Sequence, residues 1–441
     1  MSASRAGTRE CLDVGRILAG AGPSRVSAFA EGIEGSSILA IAQEIRDLVA
    51  RGVKILDLTV GDFRPQHFPV PKGLVDRIVE ALGERQTNYP PVNGMPELRE
   101  ALAEMTREDL GLDYSMDCFL VAGGARPLLH SGYTTLVDAG EEVVYPVPSW
   151  NNHHYVHIAG GTGVPVRGTP AKNFHPDRAD VEEHLRTARL LALNSPLNPT
   201  GTCIAADQLR GICEAVVDEN RRRLSRGERP LFVLYDQVYG NLTFGGATHH
   251  TPVGLVPEMA PYTLLVDAVS KSLCGTGLRV GWVAGPPPVV AKMAALLGHY
   301  GSWAPRAEQV ATARFLRDRE ALTAHRRWMI RELSARLDAL DRGFRDMRAA
   351  GLPVEHIEPQ GAIYLSVRFD LVGRTVWGRA IRDNEDLRQA LLHEAGFAVV
   401  PFEAFGSEGH DGWVRLSVGA VGVDEVHDGL ERVRRLLESA S

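Results

Sequence analysis

Cysteine is scarce in this chain: five residues in 441, at positions 11, 118, 203, 213 and 274. They are odd in number and scattered, with no CxxC pair and no Cys/His ligand spacing, which speaks against a disulfide framework or a zinc site. A reduced, metal-free, cytoplasmic protein is expected. Positive charge is also in deficit, with 48 Lys and Arg against 55 Asp and Glu and a net charge of −7, so a nucleic-acid surface is not expected. The main basic cluster, Arg221, Arg222, Arg223, Arg226 and Arg229, precedes a strand-like run and reads as a solvated loop. Long apolar stretches are missing too. The N-terminus mixes Arg5, Arg9, Glu10 and Asp13 with small residues, and nothing reaches spanning length, so neither secretion nor membrane insertion is predicted.

What is present is ordinary for a globular protein: 44% apolar and 23% charged residues. The length predicts two domains rather than one. Residues 1–35 are small and polar at first and read as an N-terminal arm. Ser36 and Ser37 can cap a helix whose Ile38, Ile41, Ala42, Ile45, Leu48 and Val49 share a face, with Gly52 ending it. Strand-like Ile55 to Val60 follows.

From there to about residue 300, helical patterns alternate with short continuous apolar runs: Glu142 to Tyr145, Leu190 to Leu193, Leu231 to Tyr235 and Leu264 to Val266. Such runs suit strands covered on both faces, which makes the fold class α/β. Between Pro305 and Gly351, Ile330, Leu333, Leu337, Leu340, Phe344 and Met347 recur at three and four. This predicts a long amphipathic helix with room for a bend, passing from a first domain into a second. The last hundred residues alternate strand-like Ala362 to Val367, Phe397 to Val400 and Trp413 to Val418 with a helix over Asn384 to Ala395. They predict a smaller α+β domain. The expected division is a large domain over 67–324 and a small one made of 36–66 with 325–441.

Four short motifs could carry chemistry, and each alone has a plain alternative. Lys271 stands in the Gly-rich loop Ser270 to Gly281 behind an apolar strand. It is either a surface lysine or one whose desolvation favours the neutral, imine-forming amine. Asp236 ends the run Leu231 to Tyr235. It either caps a turn or faces a cation, because an unpaired buried carboxylate is costly. The turn Asn194-Ser195-Pro196-Leu197-Asn198-Pro199-Thr200-Gly201 is either a bare loop or a source of side-chain amide donors. The turn Gly123-Gly124-Ala125-Arg126 is either structural or an anion cradle of backbone N–H groups at a helix start.

Taken in order and spacing, these motifs resemble the class I/II aminotransferases, the fold-type I family of pyridoxal 5′-phosphate (PLP) enzymes, from about Ser36 onward. The S-K-x-x-x-x-G-x-R-x-G signature is matched by Ser270, Lys271, Gly277, Arg279 and Gly281. N-P-x-G is matched by Asn198 to Gly201, D-x-x-Y by Asp236 and Tyr239, and R-x-S by Arg415 to Ser417. The resemblance implies a large domain with a mixed, mostly parallel sheet plus a smaller α+β domain. It implies Lys271 as the Schiff-base lysine that also moves the Cα proton, and Asp236 on the pyridine nitrogen. Tyr239 and Asn198 would bond the phenolic oxygen, and Arg279 would join Gly124, Ala125 and Arg126 on the phosphate.

By the same resemblance Trp150 stacks on the ring, and Tyr89 reaches across a two-fold dimer to the partner's phosphate. Arg415 grips the substrate carboxylate by a bidentate pair, and Gly61 offers backbone near the substrate. Three departures stand out. Ala268 replaces a phosphate-binding serine common in relatives, and Phe402 replaces a glycine and could reshape the substrate entrance. The stretch Gly298 to Trp303 offers His299, Tyr300 and Trp303 where dicarboxylate-specific relatives place an arginine. The expected activity is therefore an aminotransferase whose amino-acid substrate is not a dicarboxylate. The alternatives are a PLP enzyme of specialised metabolism that eliminates, cyclises or forms C–C bonds, for example on S-adenosylmethionine, and a non-catalytic PLP-binding regulator.

Overall fold

The apolar runs assemble into one seven-stranded sheet. In chain order its strands are β1 (Phe119–Ala122), β2 (Glu142–Val147), β3 (Thr162–Arg167), β4 (Ala188–Asn194), β5 (Phe232–Asp236), β6 (Thr263–Ala268) and β7 (Gly281–Ala284). The spatial order is β1-β7-β6-β5-β4-β2-β3, parallel except for β7, which runs antiparallel to both its neighbours. Because side chains alternate along a strand, each central strand feeds two cores. Leu190, Ala192, Phe232, Leu234, Leu264 and Val266 join one, while Leu191, Leu193, Val233, Tyr235 and Leu265 join the other. Both faces are buried, which is why these strands read as unbroken apolar runs rather than alternating ones.

This computed structural model describes residues 26–33, 35 and 37–441. The chain divides into a unit over Met1–Glu34 and another over Gly35–Ser441. In the first, Ser27 caps the single-turn helix Ala28–Glu31 by accepting from the Ala30 N–H at 3.2 Å. The rest of the expected arm, and Ser36, lie outside the described residues. In the second unit, helix α1 (Ser37–Ala50) begins where predicted and buries Ile45 and Leu48, but Val49 is 53% exposed and off the packed face.

Helix α2 (Ala125–Leu136) follows β1 directly and covers one face of the sheet with Leu128, Leu129, Tyr133 and Leu136. The long helix expected from Pro305 is two helices, α3 (Arg306–Arg317) and α4 (Arg319–Ala349). The break falls at Asp318, whose carboxylate accepts from the Ala321 N–H at 3.1 Å and from Arg77 at 2.7 Å. A side chain that caps the next helix competes with continuation of the previous one.

A second, antiparallel sheet comprises β8 (Val354–His356), β9 (Tyr364–Phe369), β10 (Val400–Pro401) and β11 (Trp413–Ser417), in the order β10-β11-β9-β8. Leu365, Val367, Val414 and Leu416 point into a core shared with Leu333, Leu337 and Phe344 of α4. The other face of the β9–β11 pair presents Tyr364, Ser366, Arg415 and Ser417, since Tyr364 lies opposite Ser417 and Ser366 opposite Arg415. The predicted strand over Ile55 to Val60 shrinks to Leu56–Asp57, paired with Phe397–Ala398.

One expectation is overturned outside the site. The arginine cluster is not a solvated loop: Arg221, Arg222 and Arg223 lie in the helix Ala206–Ser225. Arg223 is buried and donates to Glu219 and to the Leu185 and Ala188 carbonyls, while Arg229 pairs with Asp138 and Glu141. Carbonyls left free where the His184–Arg186 turn passes into β4 draw in the Arg223 guanidinium.

Candidate active site

Strands β4, β5 and β6 run parallel and end side by side, with Asn194 in register with Asp236 and Asp236 with Val266. Ligands of open α/β sheets bind beyond such carboxyl ends. Here a cavity of about 580 Å³ lies there, and the polar face of the β9–β11 pair contributes to its wall. Gly61, Ala125, Arg126, Trp150, Asn198, Asp236, Tyr239, Lys271, Arg279 and Arg415 all line it. The structure thus brings together most residues singled out from the sequence.

Lys271 follows β6 in the short helical turn Val269–Ser272. Its Nζ donates to the Gly61 carbonyl at 2.6 Å and lies 5.6 Å from the Tyr239 ring centroid. Burial pulls its ammonium down to about 8, with the Arg415 and Arg126 charges adding to the effect and Asp62 and Asp236 opposing it. The neutral amine, which is the nucleophile, is therefore accessible near neutral pH.

Asp236 is the mirror case. Burial pushes its carboxyl up to about 6, offset in part by the Val238 N–H, which donates at 3.1 Å, and by the Lys271 charge. Among the described residues no cationic side chain bonds it. A carboxylate held so poorly solvated favours a cationic N–H donor placed in the cavity, and the N–H of a protonated pyridine matches that chemistry.

The turn read as an anion cradle presents backbone to the cavity. Gly124 precedes the first turn of α2 at φ +97, and the Ala125 and Arg126 amides open the helix toward the cavity. Arg279 is pinned beside them, donating to the Thr276 and Gly123 carbonyls at 2.7 Å each. Helix-start amides with a fixed guanidinium suit a dianion. Ala268, where a phosphate-binding serine was looked for, is buried in β6, while Ser270 and Thr276 line the cavity.

Arg415 is only 1% exposed. Its Nη1 donates to Asn198 Oδ1 at 3.1 Å and its Nη2 to the Thr59 carbonyl at 2.5 Å, while its Nε has no hydrogen-bond partner and the guanidinium no carboxylate partner among the described residues. The guanidinium lies 4.8 Å from the ring centroids of both Tyr364 and Phe405. A buried, un-neutralised cation with a spare N–H is suited to receiving a carboxylate. Asn198 is held in turn by Asn194, whose Oδ1 accepts the Asn198 N–H at 2.9 Å and whose Nδ2 donates to the Asp236 carbonyl at 2.8 Å. Gly201 closes that turn against β9, where a Cβ would meet the Tyr364 carbonyl at 2.0 Å.

The residues fit PLP at each of its charged ends. A family model, aminotransferase class I and II, matches residues 53–433. The chain belongs to that family. The class I and II aminotransferases are PLP-dependent, and this chain is accordingly a PLP-dependent transferase of fold type I. Among its relatives, the aspartate aminotransferase of Geobacillus stearothermophilus is 30% identical over 407 residues, covering 92% of this chain and 96% of the relative. The aspartate aminotransferase of Streptomyces avermitilis is 31% identical over 435 residues, covering 94% and 97%. The solved structure of the Thermus thermophilus aspartate aminotransferase with maleate superposes with a TM-score of 0.83 at 27% identity, covering 94% of this chain and 100% of that one.

Not every expected position joins the aminotransferase site. Tyr89 is 80% exposed and packs edge-on to Trp303 at 5.1 Å, away from the cavity lining of its own chain. Phe402 does not itself line the cavity: it is 2% exposed and packs among Phe174, Phe405 and Trp413. His299, Tyr300 and Trp303 do not line the cavity either. Tyr364, Thr59, Asp62 and Asn194 do line it and were missed. Asn194 belongs to a turn already quoted, and its place beside Asp236 at a strand end was the available signal. Tyr364 carried none, because it reads as one more member of an apolar strand.

Proposed function

We propose that this aminotransferase-family enzyme transaminates an α-amino acid, with Lys271, Asp236, Asn198, Tyr239, Arg279 and Arg415 holding cofactor and substrate. The observation that carries this reading is the pairing of buried Arg415 with Asn198. It sets a carboxylate-binding cation and an amide donor at the same end of the cavity as Lys271. Arg415 takes the substrate carboxylate, which fixes the amino acid by one end. Asp236 would accept from the protonated ring nitrogen, and Asn198 and Tyr239 would donate to the phenolic oxygen. The Ala125 and Arg126 amides with Arg279 would hold the phosphate, and Trp150 would cover the ring. When bound, the cofactor withdraws electrons from the substrate Cα. Lys271, with its ammonium near 8, would accept the Cα proton and deliver it to the carbon that carried the cofactor's aldehyde.

The substrate side chain is proposed to be acidic, which reverses the expectation built on the missing arginine in 298–303. Arg126 supports this: its guanidinium lies 5.2 Å over the Trp150 ring and lines the cavity, without a hydrogen bond or ion pair among the described residues. Relatives named as aspartate aminotransferases point the same way. The assembly is proposed to be a two-fold dimer in the cytoplasm, with exposed Tyr89 completing the partner's phosphate site. The division into a large domain over 67–324 and a small one over 36–66 with 325–441 is proposed on the two sheets.

The test is a single turnover of the purified holoenzyme with aspartate, glutamate, phenylalanine and S-adenosylmethionine. Stoichiometric pyridoxamine phosphate, fastest with an acidic amino acid and abolished in Lys271→Ala, is expected. Release of a leaving group with no pyridoxamine phosphate would overturn transamination. Arg126→Gln should lower kcat/KM for aspartate at least about tenfold more than for phenylalanine, as loss of one charge-assisted contact implies. Equal losses would remove Arg126 from side-chain recognition.

A further inference from the structure

Tyr239 has one hydrogen-bonded protein neighbour at its hydroxyl among the described residues, and it is Tyr364, oxygen to oxygen 2.6 Å. Tyr364 opens β9 on the same sheet face as Arg415 and is 1% exposed. Its ring lies under the Arg415 guanidinium at 4.8 Å, and a Cβ on Gly61 would stand 3.0 Å from its oxygen. Gly61 is the residue whose carbonyl accepts from Lys271. The Tyr364 hydroxyl therefore sits where the second sheet meets the strand ends of the first, in touch with Tyr239 and backed by Arg415.

The proton count of this pair has a consequence. Each phenol has one O–H to donate. If Tyr239 directs its own into the cavity toward the cofactor's phenolic oxygen, the bond between the two tyrosines must be donated by Tyr364. Tyr239 is then donor and acceptor at once, and accepting a hydrogen bond makes a hydroxyl a stronger donor. The groups facing the pair set its electrostatics. Arg415 favours the more electron-rich oxygen on both tyrosines, Asp236 opposes that on both, and Asp62 opposes it at Tyr364. Lys271 faces the Tyr239 ring. Burial keeps both phenols protonated by raising them above their ordinary range.

We propose that Tyr364 is a positioning residue for the cofactor: it commits the Tyr239 proton to the cofactor's phenolic oxygen and so lowers the proton affinity of the Lys271–cofactor linkage. This rests on the reading of Tyr239 and Lys271 given above. A donor to the phenolic oxygen draws off the negative charge that would otherwise hold the linkage proton. Without Tyr364 the Tyr239 hydroxyl is a weaker donor and is free to turn toward other acceptors, and the linkage keeps its proton to higher pH.

The experiment is an absorbance titration of the holoenzyme against pH for wild type, Tyr364→Phe and Tyr239→Phe, with KM measured on the same preparations. Tyr364→Phe keeps the ring under Arg415. It should move the linkage pKa up by about 0.5–1 unit, the equivalent of one ordinary hydrogen bond, whether or not KM changes with it. Tyr239→Phe should move it further in the same direction. Incorporating 3-fluorotyrosine at position 364, a more acidic phenol of nearly the same size, should move it down; this opposite sign also serves if the Phe variant folds poorly. A shift in Tyr239→Phe with none in either position-364 variant overturns the role of Tyr364 alone. A rise in KM for Tyr364→Phe with no pKa shift overturns it as well, leaving only packing under Arg415. No shift in any variant sinks the reading of Tyr239 together with it. A wild type with no Lys271-dependent absorbance would sink the proposed function first.

Discussion

Arg279 occupies the space that a side chain on Gly124 would need: a Cβ there would fall 2.0 Å from Arg279 Nη2. Gly124 also sits at φ +97, a conformation that disfavours any other residue. Gly124→Ala should therefore displace the guanidinium from the head of α2. The apoenzyme should bind PLP at least about tenfold more weakly, the loss expected for one hydrogen bond to a charged group. Pyridoxal, which lacks the phosphate, should be affected little. Equal titration curves for PLP in wild type and variant would refute the cradle.

Lys271 sets a pH dependence for cofactor capture. Its ammonium is pulled down to about 8, chiefly by burial, and the neutral amine is the form that attacks the cofactor aldehyde. The rate of PLP attachment to apoenzyme should rise about tenfold per pH unit below 8 and level off above it. Stopped-flow absorbance would check this. A profile still climbing steeply to pH 10 would mean that the lysine is solvated.

Arg415 should tolerate no replacement, lysine included. A lysine cannot donate to Asn198 Oδ1, the Thr59 carbonyl and a substrate carboxylate in one plane. Arg415→Lys should lower kcat/KM for amino acids by about 10²-fold or more, the range for truncating one partner of a buried charge pair. The absorbance of the bound cofactor should survive. Loss of cofactor together with activity would place Arg415 in the scaffold instead.

Asp267 lies on the face of β6 opposite the cofactor cavity and lines a second cavity with Gln237, His249 and Arg326. Among the described residues it accepts only from the Ala268 N–H, while Arg326 is engaged by Asp109. Burial pushes its carboxyl up to about 8, against an ordinary value of 3.8. Between about pH 4 and 8 the folded protein then holds a proton that the unfolded chain has released, so stability falls as pH rises through that window. Asp267→Asn keeps the acceptor and cannot ionise. Its advantage in melting temperature over wild type should widen from pH 5 to pH 8.5, by the equivalent of at least about 1–2 kcal/mol. A difference independent of pH would show that Asp267 is charged and paired in the fold.

Much of this was readable in advance because the cofactor residues sit at element boundaries. Asp236 closes an apolar strand, Asn198 and Gly201 form a Pro-rich turn, Gly124 starts a helix, and Lys271 follows a strand. Each is a place where local sequence signals are strong. The helix over Asn384 to Ala395 came out with the predicted limits because Asp383 caps it and Gly396 ends it. The strand expected over Ile55 to Val60 did not, because its apolar residues pack against α4 and the second sheet's core rather than a long strand partner. Val49 was misjudged for a related reason. Periodicity tells which residues are apolar, but the neighbour that covers them comes from elsewhere in the chain.

By itself the sequence determined the α/β class, the family and the ends of the strands where the cofactor residues sit, since these follow from local patterning and motif spacing. Only the tertiary structure decided which groups face each other across the cavity. It set Tyr364 against Tyr239, paired Arg415 with Asn198 over 217 positions of chain, and left the Arg126 guanidinium without a hydrogen-bonding or ionic partner among the described residues while Tyr89 faces outward. Such pairings depend on how the second sheet's polar face docks over the first sheet's strand ends. No local periodicity records that docking, because it is fixed by packing between residues hundreds of positions apart.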